Sequence, residues 1–443
     1  MRTPICDFAE RYAASGSVRM HMPGHKGVGD GVERLDITEI AGADSLFEAD
    51  GIIAESEAYA SEIFGAHTLY STEGSSLSIR AMVHLVTLYA RSRGEQPLIL
   101  AGRNAHKSFV SAIALTGCEV EWLYADPVSH LSCSPSVTDV EKRLCELSRT
   151  PTAIYLTSPD YLGKTVDVEK IAKLCRERGI LLLIDNAHGA HLKFLEKSLH
   201  PMDLGAHMCA DSAHKTLHAL TGAAYLHISR DAPCELVRWA KDSMALFAST
   251  SPSYIILESL DRLNATLFDD FCRKMTTFID KLHNFKLKIR ELGYSLYEDD
   301  PMRITICASD YGYTGEELSC ELHERGIVVE FADRDYLVLM LSTDTSDGEL
   351  EKLYEALSLI PRRESVTLVP PCVTMPERRM SVREAMLSPH EYVDVESALG
   401  RVAGAVTGGC PPAVPIVIPG EVIGDDELSA LCYYNIKKIS AVK

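Results

Sequence analysis

The chain has 443 residues and a formal net charge of −19, with 46% hydrophobic and 24% charged residues. That length exceeds what one hydrophobic core organises, so two or three domains are expected. The acidic balance argues against nucleic acid or an anionic membrane as partner, since both call for a basic face. No apolar run nears the roughly 20 residues of a membrane span. Met1-Arg2-Thr3-Pro4 lacks the apolar stretch of a secretory signal. Thirteen cysteines without a CxxC pair fit reduced thiols, and so a cytoplasmic protein.

Residues 1–45 carry little helical or strand period and read as an N-terminal arm, with turn formers at Met22-Pro23-Gly24. A large domain over 46–290 follows. A helix is predicted over 54–64. Another follows Gly74-Ser75-Ser76, where Leu77, Ala81, Met82, Leu85, Leu88 and Tyr89 recur at helical spacing. Strand-sized apolar runs lie at 98–101, 120–124, 153–156, 180–184 and 223–228, with a helix over 168–178 closed by Gly179. Strands separated by helices imply crossover connections, an α/β class and a mostly parallel sheet buried on both faces. A long helical region over 254–292 leads into a smaller α+β domain, 291–443. There strands are expected at 302–307, 327–331 and 336–341, and helices at 315–325 and 347–357. The tail from 361 holds Gly408-Gly409, Pro411-Pro412 and Pro419-Gly420. Its apolar segments 382–387 and 395–402 nonetheless make it read as ordered.

Three segments carry chemistry in order. Ser212-Ala213-His214-Lys215 offers an amine, and Asp185 ends the apolar run Leu181-Leu182-Leu183-Ile184. Gly74, Ser75 and Ser76 open a helix, where unpaired amides and the dipole attract phosphate. An amine for a Schiff base, a carboxylate for a pyridinium nitrogen and a phosphate cradle are what a protein supplies to pyridoxal 5′-phosphate (PLP). Blander readings stand beside these: Asp185 as a helix cap, the serines as an ordinary N-cap and His106 as a loop histidine. Asp185, His188 and His191, spaced by threes, could also ligate zinc. No further acidic or cysteine pattern accompanies them, so no metal is expected.

With these residues assembled, the chain resembles the ornithine/lysine/arginine decarboxylase family in its short form. The matching stretches are His21 to Gly27, Arg103 to Ser108, Ser158 to Gly163, Asp185 to His191, Ser212 to Leu217, Ser249 to Tyr254, Met380 to Ala385, and Pro411 through Glu421. The resemblance implies the PLP-dependent transferase fold (fold type I) and decarboxylation of arginine, lysine or ornithine to the amine and CO2. It implies that Lys215 binds the cofactor, Asp185 pairs with the pyridinium and His106 stacks on the ring. Gly74, Ser75, Ser76, His188, Ser212 and His214 would complete the cofactor site. Thr250 would reach the phosphate from the partner of a homodimer, or of a larger assembly. Glu421 would meet the distal cation of the substrate. Three departures bear on specificity: Asn186 stands for the usual Glu of Asp-Glu-Ala-His, Ala413 for Gly and Val382 for Pro. An aminotransferase or lyase on the same fold, and a catalytically silent PLP-fold regulatory or binding protein, are the alternatives. Retention of Lys215, Asp185 and His106 together speaks against the silent protein.

Overall fold

The computed structural model describes residues 2–29, 31–125, 132–297, 299–367, 371, 375–406 and 414–443. Its central sheet has seven strands: β1 (His67–Ser71), β2 (Leu98–Gly102), β3 (Glu119–Leu123), β4 (Ala153–Thr157), β5 (Leu181–Asp185), β6 (Met208–Asp211) and β7 (Ala224–Ile228). They lie in the order β1-β7-β6-β5-β4-β2-β3, with β2 to β6 parallel and β7 antiparallel to both its neighbours. Burial on both faces explains why the strands read as continuous apolar runs. Leu181 and Leu183 of β5 pack towards the helices Gly74–Ser92 and Lys107–Thr116, while Leu182 and Ile184 pack towards the helix Val168–Arg178. Each such side chain contributes roughly 1.5–3 kcal/mol by leaving water. One residue per strand end then remains to carry chemistry.

A second, antiparallel sheet follows: β8 (Ser295–Tyr297), β9 (Arg303–Cys307), β10 (Phe331–Ala332) and β11 (Tyr336–Met340), ordered β10-β11-β9-β8. The accompanying helices Gly315–Glu324 and Asp347–Ser358 both open with capping boxes, Thr314 with Glu317 and Ser346 with Glu349. The tail adds the antiparallel pair β12 (His390–Asp394) and β13 (Lys438–Val442), with helices Val382–Leu387 and Asp425–Tyr433. Among the described residues, no helix is long and apolar enough to cross a membrane.

Several elements depart from the sequence reading. Residues 1–45 are not a plain arm, because Pro4–Ala14 is a helix. Its first amides find a remote acceptor: Ile5 N and Cys6 N donate to Asp261 Oδ2 at 2.9 and 3.0 Å, a pairing no local pattern shows. The sequence pattern does not show β1, which has polar residues at three of its five positions, or β6, which has only four residues. The helical region 254–292 is two helices, Tyr254–Asp269 and Phe271–Glu291, broken at Asp270. Of 327–331, only Phe331 enters a strand. Gly408-Gly409, Pro411-Pro412 and Ala413 lie outside the described residues.

Candidate active site

The carboxyl ends of β5 and β6 lie side by side and deliver the two central groups. Asp185 is 2% exposed. Its Oδ2 accepts from the Tyr155 hydroxyl at 2.9 Å, and its Oδ1 from Ala187 N at 3.2 Å. Burial, and then the Asp185 charge, push the Tyr155 phenol well above its ordinary range, so it stays a donor. Tyr155 stacks on Phe109 at 4.1 Å between ring centroids. Phe109 belongs to the helix that His106 caps, where His106 Nδ1 accepts from Ser108 N at 3.2 Å. Burial pushes the His106 imidazole down. The Asp185 carboxylate pulls it up and the Lys215 ammonium pushes it further down, so the ring lies in the field of both groups. Asp185 does not cap a helix: the next helical turn, Ala190–Phe194, opens after Gly189.

Lys215 sits on the short turn Ala213–Thr216, directly beyond β6. Its Nζ lies 2.9 Å from His188 Nε2. Burial drives the His188 imidazole well below its ordinary value, with the Lys215 and Arg303 charges adding to the shift. The neutral ring therefore accepts from Lys215 through Nε2 and carries its proton on Nδ1. Tyr161 meets His188 edge-on at 5.1 Å, and its hydroxyl donates to Glu330 Oε1 at 3.1 Å.

Hydroxyls from separate segments converge where the helix Gly74–Ser92 starts. Ser212 Oγ donates to Ser75 Oγ at 2.9 Å, and Ser108 Oγ to Ser76 Oγ at 2.8 Å. Gly74 adopts φ +69°, a region that favours glycine, and its N–H donates to Gly222 O at 2.8 Å. The start of a 19-residue helix with flanking hydroxyls suits a phosphate. His214 Nδ1 donates to Ala223 O at 2.9 Å. Thr250 is exposed, and its neighbour Ser249 donates through N to Glu73 Oε1 at 2.7 Å, next to Gly74.

Amine, carboxylate, imidazole and hydroxyl cradle make up the donor set a pyridoxal phosphate requires. His188 Nδ1 and both side-chain polar atoms of Asn104, two residues before His106, are buried without a partner among the described residues. Buried polar atoms of this kind call for a polar guest. The residues present therefore fit the cofactor.

The other candidates turn elsewhere. Glu421 is held by Arg103, with Nη1 to Oε1 at 2.5 Å and Nη2 to Oε2 at 2.6 Å. His191 Nε2 pairs with Asp300 Oδ1 at 2.9 Å, so Asp185, His188 and His191 face three different partners. Val382 is buried at the start of its helix. Asn186 Nδ2 donates to Asp211 Oδ1 at 2.7 Å. Sequence reasoning passed over Tyr155 because it sits inside an apolar run as an ordinary core residue. It passed over Glu330 because the run 327–331 reads as strand.

Residues 3–295 match the family described as Orn/Lys/Arg decarboxylase, major domain, and residues 366–441 match its C-terminal domain. An arginine decarboxylase of Halalkalibacterium halodurans is 30% identical over 466 residues, covering 97% of this chain and 92% of that protein. The arginine decarboxylase of Bacillus subtilis is 28% identical over 473 residues, covering 99% and 94%. Among solved structures, the Francisella novicida lysine decarboxylase LdcF superposes with a TM-score of 0.81 at 15% identity, covering 100% of this chain and 81% of that one. At such identity the likeness concerns the fold, which is fold type I of the PLP-dependent enzymes.

Proposed function

We propose, from the premise that the chain belongs to the Orn/Lys/Arg decarboxylase family and is an amino-acid decarboxylase, that it uses PLP to remove CO2 from a basic amino acid. The observation that carries this reading is the placement of Asp185 and Lys215 at the adjacent carboxyl ends of β5 and β6, beside the serine cluster at the start of one long helix. Lys215 would hold the cofactor and His106 would lie against its ring. Ser75, Ser76, Ser212 and His214 would receive its phosphate, with Thr250 joining them in a homodimer. Bound there, PLP supplies an electron sink for the pair left when CO2 departs. Asp185, fixed by Tyr155, keeps a proton on the ring nitrogen by offering it a buried negative charge. Neutral His188 would hold Lys215 Nζ in place by accepting its hydrogen bond, which fits that amine to return a proton to the substrate carbon.

A basic substrate needs an acidic group for its distal end. Both Glu421 oxygens are engaged by Arg103, whereas Glu330 is exposed and connects through Tyr161 and His188 to Lys215. Glu330 is therefore the better-disposed carboxylate. The test is CO2 release and amine identification across arginine, lysine, ornithine and neutral amino acids. Glu330→Gln is expected to lower kcat/KM for the basic substrate ten- to a hundredfold, the equivalent of about 1.5–3 kcal/mol for a hydrogen bond to a charged group. PLP uptake should be unchanged. Turnover of neutral amino acids alone would remove the basic-substrate clause. No CO2 from any amino acid would remove the whole reading.

A further inference from the structure

Strand alternation sends Asp185 to one face of the sheet and Asn186 to the other. Behind the sheet, Asn186 enters a knot of polar groups centred on Asp211. Asp211 is 0% exposed and accepts from Asn186 Nδ2 at 2.7 Å, His200 Nε2 at 2.9 Å, His227 Nε2 at 3.2 Å and Cys209 Sγ at 3.3 Å. Met202 N donates to His200 Nδ1 at 3.3 Å, which leaves the His200 proton on Nε2, facing the carboxylate. His227 Nδ1 pairs with Thr68 Oγ1 at 2.9 Å. His200, Cys209 and Asp211 place ligand atoms within 4.8 Å of one another, but here they complete one another by hydrogen bonds. Although burial opposes its charge, the two histidines hold Asp211 far below the usual carboxylate range.

The knot's location gives it a functional meaning. Asn186 follows Asp185, and Asp211 precedes Ser212, three residues before Lys215. Asn186 N also donates to Ala210 O at 3.0 Å, and Lys215 N to Ser212 O at 3.2 Å. The amide–carboxylate contact thus ties together the two strand ends that present the carboxylate and the amine of the active site. An acid at 186 would oppose the acid at 211 inside a site that water does not reach. In this chain the pair carries one charge, on the 211 side.

We propose that Asn186 and Asp211 act as one positioning pair, setting the spacing of Asp185 and Lys215 from behind the sheet and tolerating exchange of amide and acid only together. The proposal rests on the reading that Lys215 and Asp185 hold PLP.

Four chains test it: Asn186→Ala, Asn186→Asp, Asp211→Asn, and the exchange Asn186→Asp with Asp211→Asn. Each is compared with wild type by PLP dissociation constant, kcat and KM separately, and urea midpoint. The expected result is a loss of tenfold or more in kcat and weaker PLP binding for Asn186→Ala, with KM little changed. Asn186→Asp should lose more, by like-charge repulsion, and the exchange should recover at least half of that loss on a logarithmic scale. An Asn186→Ala chain with wild-type kcat and PLP affinity and only a lower urea midpoint would overturn the proposal. So would an exchange chain no better than Asn186→Asp. Wild-type protein that takes up no PLP would instead remove the cofactor reading.

Discussion

Arg103 and Glu421 face each other as a two-pronged ion pair, with side chains 2% and 5% exposed. The pair joins the end of β2 to the tail 318 residues later, and Arg103 Nη2 also reaches Ile416 O at 3.3 Å. Ile418 N donates to Glu421 Oε2 at 2.7 Å, so both carboxylate oxygens are engaged within the chain. Removing one member leaves the other buried without its countercharge, which costs about 3–5 kcal/mol, whereas replacing both with apolar groups is often close to neutral.

Glu421→Gln should therefore lower the urea midpoint sharply, and Arg103→Met with Glu421→Leu should lower it less. The relative rates on different amino acids should stay level in Glu421→Gln chains that remain folded. A selective rise in KM for basic amino acids, with an unchanged midpoint, would instead assign Glu421 to substrate binding.

Tyr155 and Asp185 allow a graded test of the role proposed for the Asp185 carboxylate. Tyr155→Phe keeps the stack on Phe109 and removes only the hydroxyl, so about a tenfold fall in kcat is expected. Asp185→Asn should lose roughly 10²–10³ in kcat while still taking up PLP. Steady-state rates at saturating substrate give both numbers. Tyr155→Phe at the wild-type rate would reduce the phenol to a satisfied core group.

Five of the seven strands of the central sheet, and the placement of Asp185, His106 and Lys215 at or beyond strand ends, were legible in the sequence because each rests on a local pattern. A buried parallel strand is a run of apolar residues, and its chemistry stands at the run's carboxyl end. What stayed hidden depends on partners far apart in sequence. The helix Pro4–Ala14 needs Asp261, the orientation of Asp185 needs Tyr155, and the engagement of Glu421 needs Arg103. Asn186 read as a lost carboxylate because nothing local shows that an acid occupies position 211 across the strand gap.

Burial sets the sign of one pH effect. His188 titrates well below its ordinary 6.5 when folded. As pH falls below about 6.5, the unfolded chain takes a proton that the folded chain refuses, so this histidine lowers stability by up to about 1.4 kcal/mol per pH unit. Buried carboxylates such as Glu258, raised to about 7, and Asp333, raised to about 6, act with the opposite sign. The informative quantity is thus the difference between two chains. His188→Gln should gain stability relative to wild type as the urea midpoint is followed from pH 7 to pH 5. Parallel curves would show that His188 does not stay neutral in the folded protein.

The loop at Ser249 and Thr250 decides between a site made by one chain and a site made by two. Within the chain, Ser249 N is tied to Glu73, beside the serine cluster, while Thr250 points to solvent. A homodimer could bring that exposed hydroxyl to the partner's phosphate. Chains carrying Lys215→Ala should be inactive, and chains carrying Ser249→Ala with Thr250→Ala should be weak. If the hydroxyl crosses between subunits, mixing the two restores one intact site per heterodimer, because the chain that keeps Lys215 borrows Thr250 from its partner. Recovered activity should then approach a quarter of wild type in a statistical mixture, where half the dimers are mixed and each has one good site. No recovery, with heterodimers confirmed by differently tagged chains, would place the hydroxyls in their own subunit's site. A fully active monomer in sedimentation would remove the shared site altogether.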